Sequence, residues 1–378
     1  MALTTNKKIT VVGSGNAGCI TALYYAYHGK SYGVEVEMIH DPNKKHELVG
    51  QATIPSQPRL LWQTLGTNWY TNEIKAIPKE GILYENWGKS ETIFHDFPLD
   101  THALHLSPKE TRSVILNSGY FKVREQENVK VSEIDSDYVF DCTGKPSDYS
   151  GYTDLVNPLN SVILGKPKEV FTKPWTRCVA TPDGWCFIIP TLEDSTSYPY
   201  SVGYLYNNKK TNPDAAEKNM LEMFDVEVTS KFSFKNYVTN NFYKGNILFN
   251  GNKMFFLEPL ESTSIGAYQQ WATLSFQAIV ANKISLEKAE DMMRVYIKNL
   301  ERFILWHYQN GSKYNTPFWN YCKKLYVEDE IFDKFLEQSK ISSCDQIRHP
   351  LFTQHSYGQW SFWSFKNWYE GVMNDGKN

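Results

Sequence analysis

The feature that most narrows what this chain can become is the run Gly13-Ser14-Gly15-Asn16-Ala17-Gly18. It lies between a β-branched stretch at 8–12 (KITVV) and an apolar, helix-periodic segment at 19–28. In a G-x-G-x-x-G turn the first glycine permits the tight bend and the second lets a pyrophosphate reach the backbone. The third lets helix and strand pack closely. The orphan N–H groups at the helix start then favour an anion. Gly29 stops the helix, and VEVEMI at 34–39 reads as the next strand, completing a βαβ unit. The spacing therefore predicts a nucleotide-binding α/β fold, with Gly13, Gly15, Asn16, Ala17 and Gly18 at the phosphates; the plain alternative is a purely structural glycine turn.

In such folds a carboxylate about 20 residues further on holds the ribose. Here the second strand ends Ile39-His40-Asp41, so Asp41 is the candidate and His40 stands where the acid is expected. Two later apolar runs also end in glycine turns, DCTG at 141–144 and FNGN at 249–252. Turns of this kind bring backbone back to the dinucleotide edge, so Gly144 and Gly251 together favour FAD over NAD.

The 378 residues suit one large domain or two closely joined ones. The pattern divides into a core over 1–285, with a β-ribbon at about 155–210, and a helical, aromatic-rich region over 286–378. Strand candidates in the ribbon are SVILG, RCVAT, WCFIIP and YSVGYLY. LLWQTL (60–65) reads as a short buried helix, and 81–135 as short strands and loops. NPDAAEKNMLEMF (212–224) reads as a helix capped by Asn212 or Asp214. Helical patterns fill 264–340 and the aromatic stretch QWSFWSFKNWYEGV (359–372).

Several function classes are disfavoured. Lys+Arg total 39 against 42 Asp+Glu, with no basic stripe, which argues against nucleic-acid binding. No apolar run approaches the roughly 20 residues of a membrane helix. The N-terminus lacks a signal-peptide core, so a cytoplasmic location is expected. The six cysteines are scattered without a CxxC, which fits free thiols in a reducing cytosol. The nine histidines form no ligand set: His102 and His105 lack the partners a zinc site needs, and no metal is expected. There is no G-x-S-x-G.

With GSGNAG at 13–18, VGQATIP at 49–55, GWCFIIP at 184–190 and FLEPLESTSI at 256–265, the chain resembles flavin-dependent halogenases of the tryptophan-halogenase type over roughly residues 8–285. PLEST is the most specific element. The resemblance implies a Rossmann-like FAD domain of the flavin monooxygenase type, with an inserted β-ribbon and a C-terminal helical subdomain. It implies that Ala52, Thr53, Ile54 and Leu260 join the glycine turns in binding FAD. Against the Asn86-Trp87 anchor the family's lysine falls on Lys79, with Lys75 the nearby competitor. The PLEST carboxylate is Glu261, followed by Ser262; Glu258 is the alternative acid.

In that family reduced FAD, oxygen and halide give hypohalous acid. A lysine steers the halogen to an electron-rich ring, and a carboxylate stabilises the charged ring and takes its proton. The halide (chloride, bromide or iodide) would rest on Thr263 and Ser264, where the family usually has glycine at the latter position. Trp185, Phe187 and Pro190 would keep substrate away from the flavin; Phe187 replaces the family's second tryptophan. Ordinary core packing is the competing reading for these aromatics. No NADPH site is evident, so a flavin reductase in trans is implied. The chain is short for the family, which points to a small aromatic or heteroaromatic substrate and suits a phage-encoded member. Trp306, Trp319, Trp360, Trp363 and Trp368 are candidates to line the pocket, with core packing or a homo-oligomer interface as the other outlets. Two rivals remain: an FAD monooxygenase or other oxidoreductase on the same fold, and a non-catalytic flavoprotein.

Overall fold

The computed structural model describes residues 6–44, 51–67, 73–97, 101–169, 171–190, 201–341, 356–357 and 360–373. The β-branched strand Lys8–Val12 lies inside a six-stranded sheet. Glu35–His40 and Tyr138–Asp141 run parallel to it on either side. Lys122–Glu125 and Ile247–Phe249 extend the sheet in parallel, and Tyr243–Lys244 closes one edge antiparallel. Helices cover such a sheet, so its middle strands read as unbroken apolar runs: Ile9, Val11, Val12 and Phe140 are all buried. The crossover helix is Asn16–Gly29, packed against the later helix Thr263–Ile279. The expected α/β architecture is present, with mixed sheets and a C-terminal helical region.

The ribbon candidates all form strands. They are Ser161–Pro167, Trp175–Thr181, Gly184–Ile188 and Val202–Tyr206, within a seven-stranded sheet. That sheet continues through Gly81–Glu85, which pairs parallel with Trp175–Thr181, and ends at Thr92–Asp96. A third, small sheet positions the chemistry. Its middle strand Ala103–Leu106 is flanked by Gln51–Ala52 and Ile77–Lys79, with Ala52 opposite His105 and Lys79 opposite Ala103. Lys79 thus ends a strand of the small sheet just before Gly81 enters the large one.

Beyond residue 262 the chain is mainly helical: Thr263–Ile279, Leu286–Asn310, Pro317–Cys322, Glu330–Ile341 and Phe362–Met373. The last helix returns to the large sheet, where Lys89 and Ser90 N–H groups donate to the carbonyls of Val372 and Gly371. One hydrophobic core runs from Ile9 to Val372 and takes in both the sheets and the C-terminal helices. Among the described residues no helix is long and apolar enough to cross a membrane.

One helix escaped the sequence reading. Pro108–Leu116 lies in the stretch read as short strands and loops. Its signal was present in Ser107-Pro108-Lys109-Glu110. Ser107 Oγ accepts from the Glu110 N–H at 3.3 Å, and proline fills the first helical position. The helix matters because it carries Arg112.

At Gly18 an added Cβ would lie 1.9 Å from the Gly13 carbonyl oxygen, with backbone on both sides of the contact. At Gly15 it would meet nothing within 4 Å. Gly18→Ala is therefore expected to destabilise the apoprotein by at least about 1–3 kcal/mol, whereas Gly15→Ala shifts it by well under that. Urea unfolding of the two variants checks this; equal midpoints would show that the helix does not need the close approach.

Candidate active site

The first turn is built to receive an anion. Gly13 sits at φ 106°, and a Cβ there would lie 2.4 Å from the Cys142 carbonyl oxygen. Helix Asn16–Gly29 begins with no side-chain cap and no acid in its first turn, so its leading N–H groups favour a phosphate. Gly251, at φ 68°, closes over the helix start, where a Cβ would meet Ala17 Cβ at 2.7 Å. Gly144 is at φ 102° on the neighbouring strand end, with Lys44 donating to the Thr143 carbonyl. The space left at Gly15, the left-handed Gly144 and Gly251 turns and the bare helix terminus fit a dinucleotide such as FAD.

The end of the second strand differs from the simple pattern. Asp41 turns into the loop and accepts from the Asn43 N–H at 2.8 Å. His40 is the buried residue at the strand end, 3.4 Å from Arg112 Nη2. Arg112 Nε donates to Ser14 Oγ at 2.9 Å, which places a guanidinium at the glycine turn. The sequence reading missed Arg112 because it missed its helix.

Lys79 is 3% exposed. Its Nζ donates to the Thr53 carbonyl at 3.4 Å and to Ser262 Oγ at 3.5 Å, and it lies 5.5 Å from the Phe97 ring centre. Burial pushes the amine below its ordinary pKa, with Glu261 and Cys178 opposing that shift. Thr53 is fully buried and is pinned through its N–H to the Leu104 carbonyl. The ATIP strand thus supplies an acceptor for the lysine, while Ala52 and Ile54 remain partly open. Lys75 lies in the turn before the strand, at φ 52°. Of the two lysines weighed, Lys79 is the one beside Ser262.

Glu261 and Ser262 occupy two consecutive left-handed positions, φ 64° and 56°. Neither residue adopts that region readily, and such strain persists only where the surroundings enforce it. Here the Ser262 N–H donates to the Pro259 carbonyl at 3.0 Å. The Glu261 carboxylate accepts from the Tyr84 hydroxyl and, at 2.9 Å, from Trp360 Nε1. Burial raises its pKa; the Tyr84 hydrogen bond, the Lys79 charge and the Trp360 hydrogen bond pull it back. Leu260 and Thr263 are fully buried, and Thr263 Oγ1 has no partner among the described residues. Ser264 Oγ donates to the Leu257 carbonyl at 3.1 Å, so its hydroxyl is turned away into the backbone. What Ser264 adds to the turn is its Cβ. An orphan hydroxyl at the start of helix Thr263–Ile279 fits a small anion.

Glu258, the alternative acid, faces other partners. It is fully buried and accepts from Trp185 Nε1 at 3.2 Å, Leu260 N–H at 3.0 Å and Tyr308 OH at 2.8 Å. Burial outweighs these bonds and pushes its pKa up to about 7. Trp185 is therefore a tethered core residue, with Phe187 6.1 Å away ring to ring and Pro190 buried at the end of the same segment.

Around Glu261 the side chains are aromatic. Trp360 lies 4.6 Å from His95, 4.9 Å from His307 and 5.3 Å from Phe303, ring centre to ring centre. Burial lowers the pKa of both histidines to about 3, so they are neutral. Of the tryptophans singled out earlier, Trp306, Trp319, Trp363 and Trp368 pack in the core, and Trp319 Nε1 donates to the Thr181 carbonyl at 2.8 Å. Trp360 alone of the five donates to Glu261. A cavity of about 400 Å³ opens beside the ATIP segment, lined by Pro55, Arg59, Trp62, Ala76, His102 and Leu104; Lys79, Glu261 and Trp360 do not line it. Among the described residues no group of three or more His, Cys, Asp or Glu side chains could hold a metal. The described cysteines are free and buried; Val49, Gly50 and Cys344 lie outside the described residues.

Residues 8–110 and 118–370 match the tryptophan halogenase family. Tryptophan 7-halogenase KtzQ of Kutzneria sp. (strain 744) is 22% identical over 482 aligned residues, spanning 96% of this chain and 88% of that protein. The crystal structure of tryptophan 6-halogenase SttH from Streptomyces toxytricini aligns with a TM-score of 0.76 at 18% identity, covering 98% of this chain and 91% of that one. Xcc4156, a flavin-dependent halogenase from Xanthomonas campestris, aligns with a TM-score of 0.73 at 18% identity, covering 88% of this chain and 84% of that one. These likenesses show a shared fold.

Two outcomes are expected. Gly15→Ala weakens FAD binding roughly tenfold or more, because the methyl fills the phosphate approach; flavin fluorescence quenching measures it, and unchanged affinity would place the phosphates elsewhere. Glu258, raised from 4.5 to about 7, gives stability that is complete below 4.5 and lost as pH rises through 7. At about 1.4 kcal/mol per pH unit this is about 3 kcal/mol. The wild-type advantage over Glu258→Gln in urea unfolding should therefore shrink between about pH 5 and about pH 8. Parallel curves would mean that Glu258 keeps an ordinary pKa.

Proposed function

The chain belongs to the tryptophan halogenase family of flavin-dependent halogenases, and on that premise we propose that Lys79 and Glu261 divide the chemistry of transferring an electrophilic halogen to an aromatic ring. The observation that carries this reading is the buried Lys79 amine lying 3.5 Å from Ser262 Oγ, next to Glu261. Bound FAD in its reduced form, with oxygen and halide, supplies the oxidised halogen as hypohalous acid.

Gly13, Gly15, Asn16, Ala17, Gly18, Gly144 and Gly251 hold the dinucleotide, with Ala52, Thr53, Ile54 and Leu260 beside it. Arg112 adds a positive charge at the glycine turn, and Asp41 is left to the loop near the ribose. Thr263 and Ser264 form the halide nest. A desolvated lysine has more of its amine neutral at working pH, and a neutral amine can hydrogen-bond the hypohalous acid or take up its halogen. Glu261 then stabilises the positive charge that builds on the ring and accepts its proton. Its ionised form is held by Lys79, Tyr84 and Trp360 against the penalty of burial. Ser262 couples the two groups, since its hydroxyl accepts from the amine and its backbone follows the carboxylate. In this reading Trp185 and Phe187, with Pro190, form a bulky buried barrier that keeps substrate away from the flavin.

The reduced flavin comes from a separate reductase, and the substrate is a small aromatic or heteroaromatic molecule. KtzQ is a tryptophan halogenase, and an indole or phenol ring suits the aromatic surroundings of Glu261 here.

Lys79→Ala should lower halogenation by roughly 10²-fold or more while flavin binding, followed by fluorescence, persists. The assay supplies a flavin reductase, NADPH, halide and an activated indole or phenol, and reads the halogenated product by mass. Full activity in the variant, or a hydroxylated product that forms without halide, would overturn the reading. With all three halides competing, the Ser264 Cβ in the nest is expected to shift preference toward bromide or iodide, and a strong chloride preference would refute that effect.

A further inference from the structure

Resting on the function proposed above, we propose that Trp360 is itself an acceptor of the halogen: the chain's own indole occupies the aromatic position at Glu261 and is halogenated there when no external arene is present. Trp360 Nε1 donates a hydrogen bond to Glu261 Oε2, 2.9 Å long. An indole bound as substrate to this carboxylate would present the same N–H donor. The ring is 1% exposed and is held by His95, His307 and Phe303 at 4.6, 4.9 and 5.3 Å. Such edge and tilted contacts are how aromatic surroundings hold an aromatic guest.

Lys79 Nζ lies 3.5 Å from the hydroxyl of Ser262, the residue that follows Glu261 in the chain, and its charge acts on both Glu261 and His95, the two groups that flank the indole. Lys79 and Trp360 are both buried, 3% and 1% exposed, so an electrophile carried by the amine is shielded from solvent beside the carboxylate that the indole N–H bonds. Indole is far more electron-rich than the rings of Phe97, Phe303 and Phe365 nearby. The main intramolecular competitor is Tyr84, whose hydroxyl also donates to Glu261.

Side-chain packing anchors Trp360 more than its backbone does. It lies on the short strand Trp360–Ser361, paired only with Ser356–Tyr357 among the described residues, and leads into helix Phe362–Met373. An external arene that takes the N–H bond to Glu261 must displace this ring. The segment therefore competes with substrate, and substrate protects the enzyme from self-modification.

The step balances without further reagents. Hypohalous acid converts the Lys79 amine to a haloamine, forming N–X and releasing water. An indole carbon attacks the halogen, the N–X bond breaks, and the electron pair returns to nitrogen. The ring proton passes to Glu261, and its C–H electrons restore aromaticity. The protonated carboxyl then returns the proton to the lysine nitrogen. The net change is hypohalous acid plus indole giving haloindole plus water; the halogen is reduced and the ring is oxidised by two electrons.

The test is to run wild-type protein with FAD, a flavin reductase, NADPH, oxygen and bromide but no added arene, then map bromine by peptide mass spectrometry. The expected result is one bromine in place of hydrogen on Trp360, at higher occupancy than on any other of the 11 tryptophans. Added indole should yield bromoindole and lower the label on Trp360. Lys79→Ala should lose the Trp360 label while exposed Trp62 and Tyr326, 57% and 61% accessible, still react with escaped hypobromous acid. Trp360→Phe should lose the label at that position. If wild type brominates indole but leaves Trp360 unlabelled, or bromine goes preferentially to Tyr84, Trp62 or Tyr326, the inference fails and the proposed function stands. If neither product nor protein label forms, both are overturned.

Discussion

The structure depends on holding a lysine amine and a glutamate carboxylate together out of water. Each group alone would be strongly disfavoured in its buried place, since desolvation penalises both charged forms. Burial pushes Lys79 down and Glu261 up, and each opposes the other's shift. The consequence is an amine that gives up its proton more readily than a free lysine beside a carboxylate that takes one up more readily than a free glutamate. A surface pair would be worth little and would titrate like its free components.

That pairing sets the demands on the backbone. Bringing Glu261 inward requires two successive left-handed residues, and the neighbourhood enforces them. Pro259 fixes the entry, its carbonyl accepting from Ser262. Glu258 holds Leu260 from one side and ties the turn to Trp185 on the large sheet and Tyr308 on helix Leu286–Asn310. The lysine arrives from the opposite direction, on a strand registered against Ala103–Leu106, which also carries the ATIP strand. Two sheets and a C-terminal helix therefore meet at one turn. A register slip in the small sheet would send Lys79 to its other face.

The aromatic load of the chain has the same origin. A buried carboxylate needs donors that bring little charge and much apolar surface. Tyr84 and Trp360 provide this, each giving one polar hydrogen at the edge of a large ring. Neutral His95 and His307 complete the lining. The C-terminal helices thus do more than cover the core, because the segment leading into the last one supplies a hydrogen bond to the Glu261 carboxylate.

Local signals carried far. The glycine turn, the flanking strands, the ribbon and the helix caps follow from short-range rules: backbone freedom, alternation and side-chain capping act within a few residues. PLEST and the Asn86-Trp87 anchor likewise pointed to Glu261 and Lys79. Helix Pro108–Leu116 was also legible, through Ser107 and Pro108, but its start was passed over and Arg112 with it. Other features had no local trace. Nothing near Asp41 shows that His40, not the acid, faces inward to meet a guanidinium from another helix. Nothing near residue 360 shows that this tryptophan, among five similar ones, reaches Glu261. The sequence by itself determined the fold class and singled out one glycine turn, one lysine and one acid as candidates, because those reside in contiguous motifs. Only the tertiary structure decided their separation, their shifted proton affinities and their indole neighbour, because these arise from burial and from contacts between segments 99 to 183 residues apart.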